Sequence, residues 1–249
     1  LFRSQEILDS AAGVGMDYTL KGQQYKLCGI LNGTKYDKKN FDVNQKPKFK
    51  AEIQQMFGLP QNPNRPLIAM ISRLAYQKGL DLIDFCKFEL MNQPADFVFL
   101  GTGEEGYQNM LIWASNNSPN IRAWIDFKTN LSETIYKASD LFLMPSLFEP
   151  CGLSQLIAMR YGALPLVRET GGLKDTVQPY NEFTGEGCGF SFTNFNSWDF
   201  YNTVCLAAKV YYERPNDWKK LIKTAMDKDV SWEKSAQDYL NIYNALLGE

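Results

Sequence analysis

One short segment of the chain carries two cations that could bind an anion. Arg73 and Lys78 lie in the segment Ser72–Gly79 (SRLAYQKG), directly after the apolar run Leu67–Ile71. A guanidinium offers a fork of hydrogen-bond donors and an ammonium offers a point charge, a combination that suits a diphosphate. Cations on loops are also commonly just solvated. The segment alone therefore leaves both a binding role and a solvated role open.

A carboxylate lies in a second loop of similar character. Glu149 belongs to Pro145–Leu153 (PSLFEPCGL), between an apolar run and a stretch with helical periodicity. We expect the amides of Cys151, Gly152 and Leu153 to be the unpaired donors at the start of that helix, where they could hold a phosphate or a sugar hydroxyl. The carboxylate could bind a ligand, or it could only complement the helix dipole, an effect of about 0.3–1 kcal/mol.

Two further loops are rich in glycine. Gly101–Gly106 (GTGEEG) matches the dinucleotide template Gly-x-Gly-x-x-Gly. Its acids Glu104 and Glu105 would repel a pyrophosphate at a helix N-terminus, so a tight turn between a strand and a helix is the favoured interpretation. In the segment Thr170–Leu173 (TGGL), Thr170 is followed by the glycine pair Gly171-Gly172. Paired glycines let the backbone approach a ligand closely or simply form a turn, and both interpretations stay open.

These four loops follow apolar runs that alternate with helical stretches. Such alternation predicts βαβ units around a parallel sheet that is buried on both faces, a Rossmann-like α/β domain. Ligands of these sheets bind beyond the carboxyl ends of the strands, so we expect the four loops to form one anion- and sugar-binding crevice. The predicted strands are Leu27–Leu31, Leu67–Ile71, Phe97–Leu100, Ile121–Ile125, Leu141–Met144 and Leu164–Val167. The predicted helices are Gly79–Met91, Glu104–Ser115, Leu131–Ala138, Gly152–Tyr161 and Ser231–Leu247.

Composition excludes several classes of chemistry and partner. The chain has 249 residues and no histidine, so it cannot supply an imidazole base or a Ser-His-Asp triad. A formal net charge of −2 offers no electrostatic case for nucleic acid or an anionic membrane. Five cysteines without Cys-x-x-Cys spacing argue against disulfides and a cysteine metal site, and favour a reducing compartment. Because the first residue is Leu rather than Met, we expect a piece of a longer protein or a processed chain.

Several of these segments together resemble the motifs of bacterial glycogen synthases and plant starch synthases. Ser72–Ile83 resembles their SRL…QKG.DLI motif, and Pro145–Leu156 resembles their PS.FEPCGL.QL signature. Arg168–Val177 is similar to their R.TGGL.DTV motif. Ile30–Gly33 and Ser231–Tyr239 also match. On these motifs the chain is identified as a member of that family.

The resemblance implies the C-terminal half of a two-domain, GT-B type retaining glycosyltransferase. Residues 1–249 would form a single nucleotide-sugar-binding domain whose last helix, 231–247, crosses back onto an N-terminal catalytic domain that is absent. The family transfers glucose, generally from ADP-glucose, to the non-reducing end of an α-1,4-glucan, with no metal and no other cofactor. The implied partners are ADP-glucose or ADP, the glucan and the missing domain, with no nucleic acid and no membrane. The implied compartment is the cytoplasm of a bacterium or the plastid of a plant, and the isolated chain should be inactive.

The resemblance also assigns roles to single residues. Arg73 and Lys78 match residues expected to clamp the diphosphate and stabilise charge on the departing nucleotide, and Glu149 matches an essential carboxylate near the donor glucose. These three are the expected catalytic residues. Phe127 aligns with an aromatic residue that packs on the adenine. The rest of the nucleotide-sugar site would be lined by Ser146, Cys151, Gly152, Leu153, Thr170 and Gly171.

The chain departs from the family pattern, and two other function classes remain as alternatives. Thr34-Lys35 stand where the family usually has Ile-Asp, which puts a donor contact by that loop in doubt. A dinucleotide oxidoreductase would use Gly101–Gly106 with Asp126 on the ribose, and it predicts NAD binding. A non-catalytic glucan-binding module predicts affinity for glucan without affinity for nucleotide.

Overall fold

Six short strands form the centre of the computed structural model, which describes residues 5–34, 41–126 and 129–248. The strand order is β3-β2-β1-β4-β5-β6, and each neighbouring pair is parallel. The strands are β1 (Leu67–Ile71), β2 (Asp96–Leu100), β3 (Ile121–Trp124), β4 (Leu141–Met144), β5 (Leu164–Arg168) and β6 (Phe190–Phe192). The strand order reverses between β1 and β4, which is where doubly wound sheets bind their ligands. The predicted Rossmann-like α/β fold is confirmed.

Helices pack on both faces of the sheet. In chain order they are α1 (Ser10–Gly13), α2 (Asp17–Gly22), α3 (Lys46–Met56), α4 (Leu80–Phe85), α5 (Lys87–Met91), α6 (Glu105–Asn117), α7 (Thr129–Ala138), α8 (Ser154–Arg160), α9 (Gly171–Thr176), α10 (Ser197–Glu213), α11 (Pro215–Asp227) and α12 (Trp232–Leu247). None of the helices in the described residues is both long and apolar enough to span a bilayer.

The strands are mostly apolar because alternate residues of the central strands contribute to two different cores. Ile68 and Phe97 belong to the core on one face of the sheet, whereas Leu67 and Val98 belong to the core on the other. All four side chains are fully buried. Burying one such side chain contributes about 1.5–3 kcal/mol, so this double burial holds the strand ends, and the loops that leave them, in place.

Three sequence-based expectations of secondary structure are wrong in detail. Leu27–Leu31 is not a strand, and the carbonyl of Leu31 instead accepts a hydrogen bond from the Ser235 hydroxyl of α12 at 2.6 Å. The helix expected over Gly79–Met91 is two helices, α4 and α5. Helix α8 begins at Ser154 rather than at Gly152, since Gly152 has a left-handed φ of 68° that a helix does not accept.

Helix α12 carries the apolar stripe that the sequence predicts. Its exposed apolar side chains are Trp232, Tyr239, Leu240, Tyr243, Leu246 and Leu247. Ser231 occupies the expected N-cap position, but its side chain makes no capping hydrogen bond. That this helix crosses onto a second domain remains a prediction.

Candidate functional site

The loops after β1 and β4 pack directly against each other at the switch point of the sheet. Gly79 has a φ of 78°, and a Cβ atom there would lie 2.2 Å from the carbonyl oxygen of Pro145. The amide of Leu147 donates to the carbonyl of Gln77 at 2.9 Å. These contacts place the loop that carries the two predicted cations beside the loop that carries the predicted carboxylate.

Lys78 and Glu149 meet between these two loops. The Lys78 Nζ atom lies 2.5 Å from Glu149 Oε2, and their side chains are 21% and 12% exposed. The hydroxyl of Ser146 donates to the same carboxylate oxygen at 3.4 Å. A partly shielded, charge-assisted pair of this kind contributes about 1.5–3 kcal/mol. Two predicted site residues, Lys78 and Ser146, therefore both contact the carboxylate of a third, Glu149.

Arg73 lies at the exposed rim of the same crevice and is oriented by Gln77. The Arg73 Nη2 atom donates to Gln77 Oε1 at 3.1 Å, and Gln77 Nε2 donates to the carbonyl of Phe148 at 3.1 Å. One carboxamide thus joins the guanidinium to the neighbouring loop. Gln77 is not among the residues predicted for the site, although its position next to Lys78 in the same motif was a usable signal.

The glycine pair after β5 lies against the backbone of Glu149. Gly171 has a φ of 45°, and a Cβ atom there would lie 2.0 Å from the Glu149 carbonyl oxygen. The amide of Gly172 donates to that same oxygen at 3.2 Å. The close approach that these glycines permit is therefore an approach to the loop that carries Glu149.

Arg168 braces the β4 loop from the end of β5. Its Nε atom donates to the carbonyl of Ser146 at 2.8 Å, and its Nη2 atom donates to the carbonyl of Leu147. Burial lowers the pKa of the Arg168 guanidinium, and the carboxylate of Glu6 opposes that shift. A guanidinium stays charged at any ordinary pH, so Arg168 keeps a positive charge next to the backbone carbonyl of Ser146.

Glu6, in the segment before the sheet, binds two predicted site residues. The Thr170 hydroxyl donates to Glu6 Oε1 at 2.8 Å, and the Gly171 amide donates to the same oxygen at 3.2 Å. The contact joins residues 164 positions apart, and no motif in the sequence indicated it. Thr170 and Gly171, two of the residues expected to line the ligand site, thus both donate to Glu6 in this structure.

The remaining predicted site residues are Cys151, Gly152 and Leu153, which precede α8, and Phe127. Cys151 and Gly152 lie ahead of α8 and only Leu153 borders it as the N-cap, so the expectation that all three amides are its terminal donors is wrong. Burial raises the pKa of the Cys151 thiol, despite opposing hydrogen bonds with Asn32, so the thiol stays protonated at neutral pH. Phe127 lies outside the described residues, and its role stays a prediction.

The glycine-rich turn after β2 lies against the loop of Arg73. A Cβ atom on Gly101 would lie 1.8 Å from the carbonyl oxygen of Ser72, and one on Gly103 would lie 2.1 Å from that of Leu74. The amide of Glu104 donates to the Leu74 carbonyl at 2.7 Å. The tight-turn interpretation is confirmed, because the glycines make room for a neighbouring loop.

Among the described residues, no group of three or more His, Cys, Asp or Glu side chains could hold a metal ion. The arrangement can instead neutralise an anion with Arg73 and Lys78 and present the carboxylate of Glu149 to an adjacent group.

Comparisons with known proteins agree with the motifs. The chain is 46% identical to a glycogen synthase of Clostridium acetobutylicum, over 98% of this chain and 54% of that protein. It is also 46% identical to a glycogen synthase of Clostridioides difficile, over 96% of this chain and 53% of that protein. The chain spans about half the length of the curated relatives that it matches. The resemblance to bacterial glycogen synthases and plant starch synthases is confirmed.

Solved structures support the same relationship. The catalytic domain of starch synthase IV from Arabidopsis thaliana, bound to ADP and acarbose, matches all of this chain and 55% of its own, with a TM-score of 0.88 and 31% identity. Anabaena HepE in complex with UDP-glucose shares the fold, with a TM-score of 0.66 and 19% identity over 95% of this chain and 62% of its own. The family model of glycosyl transferases group 1 matches residues 52–221. The chain belongs to the glycosyl transferases group 1.

Proposed function

We propose that this chain is the donor-binding half of a glycogen or starch synthase. The complete enzyme would be a retaining glycosyltransferase that moves glucose from ADP-glucose to the non-reducing end of an α-1,4-glucan. The bacterial glycogen synthase relatives and the plant starch synthase structure favour this activity over other group 1 transfers. They also make the bacterial cytoplasm the proposed compartment, with the plastid as the alternative for a plant protein.

The observation that carries the proposal is the meeting of Lys78 and Glu149 at the switch point, with Arg73 on the same loop as Lys78. Two cations suit the diphosphate of a sugar nucleotide, and a carboxylate beside them would face the sugar that the diphosphate carries. Each charge-assisted contact to the diphosphate would contribute about 1.5–3 kcal/mol. Backbone amides at a helix start contribute about 0.3–1 kcal/mol, so the side chains should dominate binding.

The same groups would act during transfer. When the bond between glucose C1 and the β-phosphate oxygen breaks, negative charge grows on the departing ADP. Arg73 and Lys78 would stabilise that charge more strongly than they stabilise the bound donor, which is the condition for lowering the barrier. Glu149 would act on the glucose, and Ser146, Cys151, Gly152, Leu153, Thr170 and Gly171 would line the site. Phe127 would pack on the adenine, and no metal is needed in this scheme.

The proposal assigns the acceptor side of the reaction to an N-terminal domain. That domain would bind the glucan and contact the exposed stripe of α12. The isolated chain should therefore bind donor nucleotide but transfer no glucose. Measurable elongation of maltooligosaccharides by the isolated chain would contradict this division of roles.

Isothermal titration calorimetry tests the donor assignment directly. We expect ADP and ADP-glucose to bind the chain and the double variant Arg73→Ala/Lys78→Ala to bind at least about tenfold more weakly, because two charge-assisted contacts are lost. Lys219→Ala, at an exposed lysine of α11, is the matched control. A titration of UDP-glucose shows whether the donor carries uridine instead of adenine. A titration of NAD tests the alternative of a dinucleotide oxidoreductase. Nucleotide affinity that is unchanged in the double variant would refute the phosphate assignment.

A further inference from the structure

Glu6 makes a contact that the proposed donor site does not yet explain. Its half-buried carboxylate accepts one hydrogen bond from the Thr170 hydroxyl, at 2.8 Å, and one from the Gly171 amide, at 3.2 Å. The Thr170 side chain is almost completely buried, so its hydroxyl needs a partner within the protein. Glu6 provides that partner from a segment that lies outside the family match over residues 52–221.

The turn that Glu6 holds is the turn that positions Glu149. Gly172 donates to the Glu149 carbonyl at 3.2 Å, and the backbone of Gly171 lies so close to it that no side chain would fit. The Glu149 carboxylate in turn accepts from Lys78. A continuous series of direct contacts therefore runs from Glu6 through the glycine turn to the proposed catalytic carboxylate.

Electrostatics support the same connection. The Glu6 carboxylate acts on the guanidinium of Arg168, which donates to the carbonyls of Ser146 and Leu147 in the loop of Glu149. Glu6 thus influences the loop of Glu149 in two ways. It accepts hydrogen bonds from the glycine turn, and its negative charge acts on Arg168, which holds the loop. A carboxylate that accepts from a backbone amide and a buried hydroxyl is worth more than a solvated one, because losing it leaves both donors unpaired.

We propose that Glu6 is a positioning residue for the donor site. It holds the turn Thr170–Gly172, and through it the backbone of Glu149, in the arrangement that receives the glucose of the donor. This inference rests on the proposed function of the crevice. It predicts that Glu6 affects the contribution of the sugar to binding and leaves the contribution of the ADP part almost unchanged.

Calorimetry on the chain compares ADP-glucose with ADP for the unmodified protein, Glu6→Ala and Glu6→Gln. Glutamine keeps an oxygen that can accept both hydrogen bonds, whereas alanine keeps none. We expect Glu6→Ala to weaken ADP-glucose binding about fivefold to tenfold and ADP binding less than about twofold, because two donors lose their partner near the sugar only. Glu6→Gln should restore most of the affinity for ADP-glucose, because the hydrogen bonds return although the charge that acts on Arg168 does not. Glu52→Ala, at an exposed carboxylate on α3, is the control.

Amide hydrogen exchange, followed by nuclear magnetic resonance, tests the contact without any ligand. The Gly171 amide should exchange faster in Glu6→Ala than in the unmodified chain and Glu6→Gln. Three results for Glu6→Ala would overturn the inference alone. They are no loss of either affinity, an equal loss of both affinities, and tighter binding of ADP-glucose. Absence of ADP-glucose binding by the unmodified chain would instead overturn the proposed function, and the inference with it.

Discussion

The ammonium group of Lys78 lies 2.5 Å from the carboxylate of Glu149, although the two residues are 71 positions apart in the chain. The contact forms because β1 and β4 are neighbours in the sheet and their loops leave the same edge. The positive charge of the lysine is thus neutralised by a carboxylate of the same chain. An incoming diphosphate must therefore compete with Glu149 for Lys78.

This competition predicts the effect of Glu149→Gln on nucleotide binding. Removing the negative charge frees Lys78 and lowers repulsion, so ADP should bind about twofold to tenfold more tightly at about 50 mM NaCl. Salt screens this electrostatic gain, and the difference should shrink at about 500 mM NaCl. Calorimetry at both salt concentrations measures it, with Glu52→Gln as the control. Weaker binding of ADP by Glu149→Gln would contradict the competition.

Gln77 should matter through Arg73. Gln77→Met removes the hydrogen bonds to the guanidinium and to the Phe148 carbonyl, so Arg73 loses its preferred orientation. We expect ADP to bind about threefold to tenfold more weakly and adenosine to be unaffected, since only the diphosphate contact changes. In an Arg73→Ala background the same substitution should have less than about a twofold effect. Additive losses in this double-mutant cycle would show that Gln77 acts independently of Arg73.

The glycine-rich turn provides a matched set of variants within one motif. Gly101→Ala and Gly103→Ala would force a Cβ atom against backbone oxygens at 1.8 and 2.1 Å, so each should lower the free energy of unfolding by more than about 2 kcal/mol. Gly106 lies in α6, and a Cβ atom there would have no neighbouring atom within 4 Å, so Gly106→Ala should raise it by up to about 1 kcal/mol. Urea unfolding measures all three. Equal effects at the three positions, together with NAD binding, would favour the dinucleotide alternative.

Lys46 makes stability depend on pH. Its buried Nζ atom donates to the carbonyls of Lys137, Ser139 and Tyr161, and burial lowers its pKa from 10.5 to about 8. Between these values the unfolded chain binds more protons than the folded one, so the contribution of Lys46 to stability rises with pH. It is fully present above pH 10.5 and is lost as the pH falls through about 8. From about pH 7 to about pH 10 the free energy of unfolding should therefore rise more in the unmodified chain than in Lys46→Met, by roughly 1–3 kcal/mol.

Urea titrations at the two pH values measure this difference. Lys48→Met, at an exposed lysine on the same helix, should follow the unmodified chain. Parallel pH dependence in Lys46→Met and the unmodified chain would contradict the assignment.

General features of the fold could be predicted from the sequence, but individual contacts could not. Apolar runs such as Leu67–Ile71 predict buried parallel strands, and the geometry of such sheets predicts that Arg73, Lys78 and Glu149 share one edge. The direct pairing of Lys78 with Glu149 also depends on the strand order, which no local pattern reveals. The prediction of a strand at Leu27–Leu31 is wrong because a short apolar run does not by itself specify a strand, and these residues lie outside both cores.

The hydrogen bond between Thr170 and Glu6 is a second contact that the sequence could not predict. The Thr170 hydroxyl lies in a recognisable motif, but Glu6, which binds it, is separated from it by 164 positions and carries no local signal. Gln77 lies inside a recognised motif, yet its role depends on the position of Phe148 in a different loop. Hydrogen bonds between loops become visible only when the tertiary structure is known.

The central claim is that the crevice between the β1 and β4 loops receives the diphosphate of a sugar nucleotide. A crystal structure of the chain with ADP-glucose tests it most directly. We predict phosphate oxygens within hydrogen-bonding distance of Arg73 and Lys78, with the glucose next to Glu149. A nucleotide whose diphosphate lies at Gly101–Gly106, or elsewhere away from both cations, would contradict the account.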